Sequence, residues 1–233
     1  ERVLETNFSY TQPWFIQDQG FLFLHTRYAD GRNLYWMTSP DGRRWSEPRM
    51  LAGIEAGDYQ VSWRNGKRIA TAFDFHPYQV GLNARANVYY LETDDLGRTW
   101  RNVRGEAVKL PLTETNNPAL ACDTRAEGVL AYLRDLNFDL EGRPVILFVT
   151  SKGYAAGPAN GGRSTWPSTT YWPRCPAASA FAGGSIGRWR PSGGGTAPLW
   201  ARSGRELFFL GGGNTLMAAG MTPGSPLGVA EPR

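Results

Sequence analysis

Asn87-Val88-Tyr89-Tyr90-Leu91-Glu92-Thr93-Asp94-Asp95-Leu96-Gly97-Arg98-Thr99-Trp100 is the stretch whose reading decides the fold. Its first half alternates β-branched, aromatic and polar residues, which predicts a strand with one face in a core. Its second half packs Asp, Asp and Gly into a tight turn and closes on Thr-Trp. In such a turn Asp95 can accept hydrogen bonds from N–H groups of its own loop. Gly97 can take positive φ, and Trp100 can cover the end of the hairpin. This is structural chemistry, silent about catalysis. A second copy stands at Ser39-Pro40-Asp41-Gly42-Arg43-Arg44-Trp45, one residue shorter between Asp and Trp. Trp45 and Trp100 lie 55 residues apart, the spacing of a repeated unit with an insertion.

Working outward, residues 13–51 read as one repeat, with apolar runs at 14–16, 21–25 and 33–38 ahead of the first acidic turn. Residues 57–105 read as the next. Two alternating runs, 59–63 and 68–73, flank Asn65-Gly66, a strong hairpin signal. Phe75-His76-Pro77 then opens a longer loop that runs to Arg85. A third repeat covers 119–150, with strands at 129–133 and 145–149 around a turn at 139–142. Residues 164–199 are rich in Gly, Pro and Ser with little periodicity. They read as linker, as a damaged reading frame or as a degenerate repeat. Residues 200–233 return to strand-like sequence through Gly204-Arg205-Glu206 and an aromatic run.

A chain of 233 residues with 28 glycines and 13% aromatic residues suits one all-β domain of short strands and tight turns. No run of eighteen apolar residues is present, so no membrane segment is expected. No basic-then-apolar leader begins the chain, and the start at Glu1 reads as the middle of a protein. The formal charge is +4, and only Lys67, Lys109 and Lys152 are lysines among 25 basic residues. An arginine excess reflects either a GC-rich genome or a basic surface for carboxylates or sulfates. Without a lysine-rich patch, nucleic acid is not an expected partner. Cys122 and Cys175 have no metal spacing. One disulfide can join them, but the apolar run around Cys122 favours a buried free thiol.

The pattern Ser/Thr-x-Asp-x-Gly-x-Thr-Trp resembles the Asp box (BNR repeat) of sialidase-type β-propellers, where it sits between outer strands, away from the central site. The structural Asp-box residues are then Asp41, Gly42, Trp45, Asp95, Gly97 and Trp100. The resemblance implies a β-propeller of four-stranded antiparallel blades over residues 1–163. About four blades are expected here, an incomplete ring whose open edges favour self-association. The segment 199–218 is similar to a TolB-type propeller repeat. Gly57-Asp58-Tyr59-Gln60-Val61, Phe75-His76-Pro77 and Tyr132-Leu133-Arg134-Asp135-Leu136-Asn137 resemble, more narrowly, the BNR-4 group that contains ulvan lyases.

What that resemblance implies is a cleft for an anionic uronate polysaccharide, cleaved by β-elimination in a secreted or periplasmic protein. The reaction needs a cation at the carboxylate, a base for the C5 proton and an acid for the leaving oxygen. His76 and Tyr132 are the catalytic candidates, with Arg85, Arg134, Asp58 and Asn137 as substrate-binding candidates. Where the lyases carry a first histidine this chain has Asp58, which would repel a uronate if ionised. The bland alternatives are a capping role for His76, a core role for Tyr132 and ion pairs for the arginines; His25 reads as a packed histidine. No metal site and no cofactor is expected, although loop oxygens can hold Ca²⁺ without a motif. The alternatives to a lyase are a non-catalytic glycan-binding or interaction propeller, then a sialidase-type hydrolase, for which the Arg-Ile-Pro strand is missing.

Overall fold

The computed structural model describes residues 8–28, 31–78, 84–139, 142–151, 199–203, 206–211 and 215–220. Residues 164–198, read from the sequence as linker or degenerate repeat, lie outside them. The described chain is all-β and antiparallel. Strands β1 (Phe8–Ile16), β2 (Gly20–Tyr28), β3 (Arg32–Ser39) and β4 (Arg49–Ala52) form a first sheet in sequential order. Strands β5 (Asp58–Asn65), β6 (Arg68–Phe75), β7 (Ala86–Thr93) and β8 (Leu120–Cys122) form a second sheet in the same order. Strands β9 (Leu130–Phe138) and β10 (Pro144–Ser151) pair as a hairpin. A separate unit, residues 183–233, contains a three-stranded meander of β11 (Leu199–Ser203), β12 (Glu206–Gly211) and β13 (Thr215–Gly220). No helix among the described residues is long and apolar enough to cross a membrane.

Among the described residues the expected four-stranded antiparallel sheet is present twice, without a closed ring. Two features differ from the sequence reading. Leu120–Cys122, expected to open the third repeat, instead forms the outer strand of the second sheet, with Val88 opposite Cys122. The loop of 101–119 is long enough to carry the chain back to β7, so sequence distance misplaced it. Finally, Cys122 is disulfide-bonded, not a free thiol. It ends an edge strand that another segment can reach, and an apolar neighbourhood does not decide oxidation state. The chain's only other cysteine, Cys175, lies outside the described residues.

Alternation along the strands builds two cores. Leu22, Leu24, Leu34, Trp36 and Leu51 of the first sheet meet Ile69, Phe73, Tyr89 and Leu91 of the second. The other face of the second sheet presents Ala70, Ala72, Val88 and Tyr90 to Ala131, Leu133, Leu136 and Phe138 of β9. Burying large side chains on both faces stabilises by roughly 1.5–3 kcal/mol each. Polar contacts fix how β1 lies against β5. The Trp14 indole N–H donates to Ser62 Oγ (2.7 Å), and Ser62 Oγ donates to Gln12 Oε1 (2.6 Å). Gln60 Nε2 donates to the Tyr10 carbonyl (2.6 Å).

Both acidic turns join a third strand to a fourth, after β3 and after β7. In the first, the Arg43 and Arg44 amides donate to Asp41 Oδ1 (2.9 and 2.8 Å), and Gly42 N donates to Ser39 Oγ (2.8 Å). These donors hold the Asp41 carboxyl well below its usual range. In the second, Thr93 Oγ1 and the Thr99 amide donate to Asp95 Oδ1 (2.8 and 2.9 Å). Partial burial pushes Asp95 upward, but those donors win and lower it. The two tryptophans differ. Trp45 donates to its own turn at Gly42 O (2.9 Å) and packs on Phe23 of its own sheet. Trp100, one residue further round, reaches Trp36 of the first sheet edge-to-face at 5.7 Å.

Gly97 makes that reach possible: it sits at φ +81°, and a Cβ there would fall 2.4 Å from Trp36 Nε1. Gly97→Ala is therefore expected to cost roughly 2–4 kcal/mol, from left-handed strain plus overpacking. Gly66→Ala, at φ +61° with open space around it, costs about 1 kcal/mol. Urea midpoints of the two variants check this, and equal losses would defeat the account.

Candidate functional site

The side chains with chemistry gather where β5 begins, where β6 ends and where β9 crosses them. β5 and β6 pair in register, with Asp58 opposite Phe75 and Tyr59 opposite Asp74. Backbone bonds hold the end of this hairpin: His76 N donates to Gly57 O (3.0 Å), and Ala56 N donates to His76 O (3.2 Å). β9 has β10 on one edge. Its other edge is held by Arg85 and Asp74. The Ala131 amide donates to the Arg85 carbonyl (2.9 Å), and the Leu133 amide donates to Asp74 Oδ2 (2.9 Å). Tyr132, between those two amides, is clamped to the second sheet.

A ladder of cations and rings results. The Arg85 guanidinium lies 3.4 Å from the ring centroid of Tyr59 and 4.0 Å from that of Tyr132. Arg134 also lies against Tyr132, 4.5 Å from its ring centroid. Arg32 lies 4.7 Å from Tyr59, 4.6 Å from Tyr28 and 5.4 Å from Tyr10. Contacts of this kind contribute about 0.5–2 kcal/mol each, most where water is excluded. They also lock the arginines, so that little entropy is lost when an anion binds. His76 packs against Tyr59 at 5.6 Å and is buried, its Nε2 without a hydrogen-bond partner. Burial, then Arg85 and Arg32, lowers its pKa against a smaller opposing effect of Glu55, so the imidazole is neutral near pH 7.

Two carboxyls lie beneath. Asp58 is fully buried, with Oδ2 accepting from Ile54 N (3.3 Å) and Oδ1 without a partner. Burial raises it well above the usual carboxylate range, and Asp74 pushes in the same direction. Asp74 is also fully buried. Burial raises it to about 7, against the opposing pull of Arg85 and the Leu133 amide.

Of the residues singled out from the sequence, His76, Arg85, Tyr132 and Arg134 come together. Tyr132 is half-buried and Arg134 exposed. Asp58 lies below the cluster and does not reach its surface. Asn137 stands five positions beyond Tyr132 on β9, opposite Val145, and its Oδ1 accepts from the Phe138 amide. A register shift opposite Leu147/Phe148 leaves Arg134 unpaired in the ladder. Burial consequently switches from Ala131 and Leu133 before it to Leu136 and Phe138 after it, as a bulge requires. The sequence reading missed Tyr10, Tyr28, Arg32, Tyr59 and Asp74. Only Asp74 left a signal: an acid inside the apolar run Ala72-Phe73-Asp74-Phe75 needs a buried partner. His25 is packed, between Phe23 and Tyr35, and burial lowers it to about 4. No group of three His, Cys, Asp or Glu among the described residues is arranged to hold a metal.

A family model described as "BNR repeat-containing family member" matches residues 2–171. Ulvan lyase of Nonlabens ulvanivorans is 31% identical over 125 residues, covering 45% of this chain and 26% of that protein. Ulvan lyase of Alteromonas sp. (strain LOR) is 26% identical over 181 residues, covering 66% of this chain and 36% of that protein. The chain thus spans well under half the length of the curated relatives it matches. A solved structure of a polysaccharide lyase of family PL25, an ulvan lyase, aligns with a TM-score of 0.65 at 15% identity, over 96% of this chain and 55% of that one. A second, bound to -[GlcA(1-4)Rha3S]-, aligns with a TM-score of 0.64 at 14% identity, over the same shares. At such identities the likeness concerns the fold.

Because the folded-state pKa of Asp74 lies above its unfolded value near 3.8, the native chain keeps a proton that the unfolded chain releases between about pH 4 and 7. Stability from this group is therefore full below pH 4 and is lost as pH rises toward 7. Asp74→Asn should flatten that decline, leaving the share due to Asp58. Denaturant midpoints from pH 4 to 8 measure it, and identical slopes in the two proteins would overturn the assignment.

Proposed function

This chain belongs to the BNR repeat-containing family, and from that premise we propose that it is a polysaccharide lyase acting on a uronate-containing polysaccharide such as ulvan. The observation that carries the reading is the Arg85 guanidinium held between Tyr59 and Tyr132, with Arg134 and Arg32 continuing the ladder. Fixed guanidinium groups suit a uronate carboxylate, whose neutralisation makes the C5 proton acidic. Tyr132, stacked between Arg85 and Arg134, takes that proton as base. The neutral His76 imidazole assists at the carboxylate, and a phenol returned to its protonated form gives the proton to the leaving oxygen. In this reading C5–H and the C4–O bond break, a C4=C5 double bond forms, and no water is consumed.

The relatives' names support the substrate class. The two four-stranded sheets with their acidic turns support blades of an Asp-box propeller. The described disulfide at Cys122 suits an oxidising compartment, and with it a secreted protein. A second reading, a glycan-binding propeller without turnover, draws on Asp58: it stands where the resemblance expects a histidine and is buried.

Mixing the protein with ulvan should raise ultraviolet absorbance as unsaturated uronate ends form. Tyr132→Phe should lower kcat by about 10²–10⁴ with little change in KM. Arg85→Lys should raise KM as well, since a lysine does not stack between two rings. Binding of ulvan with no absorbance rise from the unsubstituted protein would remove the lyase and leave the glycan-binding reading.

A further inference from the structure

At the opposite end of β7 from Arg85 lies a cavity of about 300 Å³, at the small end of ligand sites. Trp36 of β3 and Arg49 of β4 form one side. Arg98 and Trp100 of the second acidic turn, with Val108 and Leu110 after it, form the other. The eight residues of β7 put roughly 26 Å between this cavity and the Arg85 cluster.

Donors dominate the polar lining, with the Thr99 hydroxyl beside two guanidinium groups and an indole N–H. Trp100 is 2% exposed, and its indole N–H is buried with no hydrogen-bond partner. An unmet buried donor costs about 1–3 kcal/mol, whereas Trp45 in the equivalent turn meets its own at Gly42 O. Arg49 and Arg98 are exposed and make no ion pair among the described residues. The acids of the same turn face elsewhere: Asp94 pairs with Arg101 (2.9 Å), and Asp95 is turned into its own loop by Thr93 and Thr99. Gly97, without a side chain, lets the Trp36 and Trp100 indole nitrogens converge close against its backbone. Two unpaired guanidinium groups, a dry N–H and flat aromatic walls specify an anion carried on a partly apolar body.

We propose that this cavity is a binding subsite for the sulfate ester of a glycan, with sulfate oxygens on Arg49, Arg98 and the Trp100 indole N–H and the sugar ring against Trp36. A sulfate ester offers three terminal oxygens in different directions, which fits donors arriving from three residues better than a planar carboxylate does. The subsite does not depend on turnover at Tyr132. It would hold a sulfated chain at the rim while another stretch of the same chain crosses the Arg85 ladder, which raises effective concentration.

The test uses the full chain carrying Tyr132→Phe, so that it stands or falls independently of lyase activity. The probes are sodium sulfate against sodium chloride at matched ionic strength, then a sulfated uronate oligosaccharide and its desulfated counterpart. The readout is the ¹⁵N–¹H indole resonance of Trp100, assigned by its absence in Trp100→Phe, or by selective perturbation in Arg98→Ala where Trp100→Phe does not fold. The expected result is a saturable downfield shift with the sulfated oligosaccharide and none with the desulfated one. Arg98→Ala and Arg49→Ala, both at exposed positions, should each weaken it about tenfold. Saturation by free sulfate but not by the sulfated oligosaccharide overturns the glycan subsite in favour of a small-anion site. No saturable shift with either, or equal shifts with both oligosaccharides, overturns the proposal outright.

Discussion

A carboxylate with no access to water must be matched by the protein around it, and Asp74 shows how much structure one such demand can organise. One oxygen accepts the Leu133 amide, so β9 is tied to a sheet whose ladder it does not join. Arg85 is the nearby positive charge that opposes the group's protonation. Its own carbonyl accepts the Ala131 amide. Tyr132 is thus fixed at both neighbours, and its ring has little choice but to lie over the guanidinium. The ladder of rings and cations follows from this arrangement, because Tyr59, opposite Asp74 in the hairpin, covers the other face of Arg85. Removing the carboxylate would leave an unmet amide and an uncountered arginine in the same place, a double loss that neither residue's contacts alone would predict.

The two ends of each strand do different work. At the ends that carry acidic turns, the chain uses short polar loops whose donors are consumed locally, so those carboxyls stay ionised and structural. At the other ends the carboxyls are buried and pushed toward their neutral forms. The arginines there are held by aromatic faces, and Asp74 beside Arg85 is itself pushed upward by burial. The same residue types therefore give a stabilising rim and a cationic interior, separated by the length of a strand. Trp100 departs from this division, since its turn leaves a donor unspent between two sheets.

Much of the scaffold was legible because its signals are local. Alternation marked the strands, and an Asp with Gly close behind it and then Trp marked both third-to-fourth turns. His76, Arg85, Tyr132 and Arg134 could be singled out from their motifs, and they do lie together. What could not be read was partnership across distance. Nothing near Arg32 announces Tyr10 or Tyr59 as its neighbours: Tyr28 faces it across the β2–β3 pairing, but Tyr10 comes from β1 and Tyr59 from the second sheet, so the full set exists only once the two sheets have packed. The bulge at Arg134 was invisible for a similar reason: it is a property of pairing with β10, and it alone decides that Tyr132 and Asn137 share a face despite odd spacing. Even the hairpin at Asn65-Gly66 shifted by one. Asn65 stays in the ladder opposite Arg68, and Gly66-Lys67 makes the turn.

Asp58 shows how burial changes what an acid in the sequence does in the fold. Read as a letter, and on the proposed lyase reading, an acid beside a uronate is a repulsion. In place, it has no solvent contact, accepts one long bond from Ile54, and sits near a second acid. Both burial and that neighbour favour the protonated form, which weakens the repulsion a free carboxylate would exert. The positive charge of the cluster comes from Arg32, Arg85 and Arg134, packed against Tyr59 and Tyr132. Neither of those supports requires a histidine at position 58. On the proposed lyase reading, anion binding and proton transfer are separable: the first would belong to the arginine ladder with His76 beside it, and the second to Tyr132.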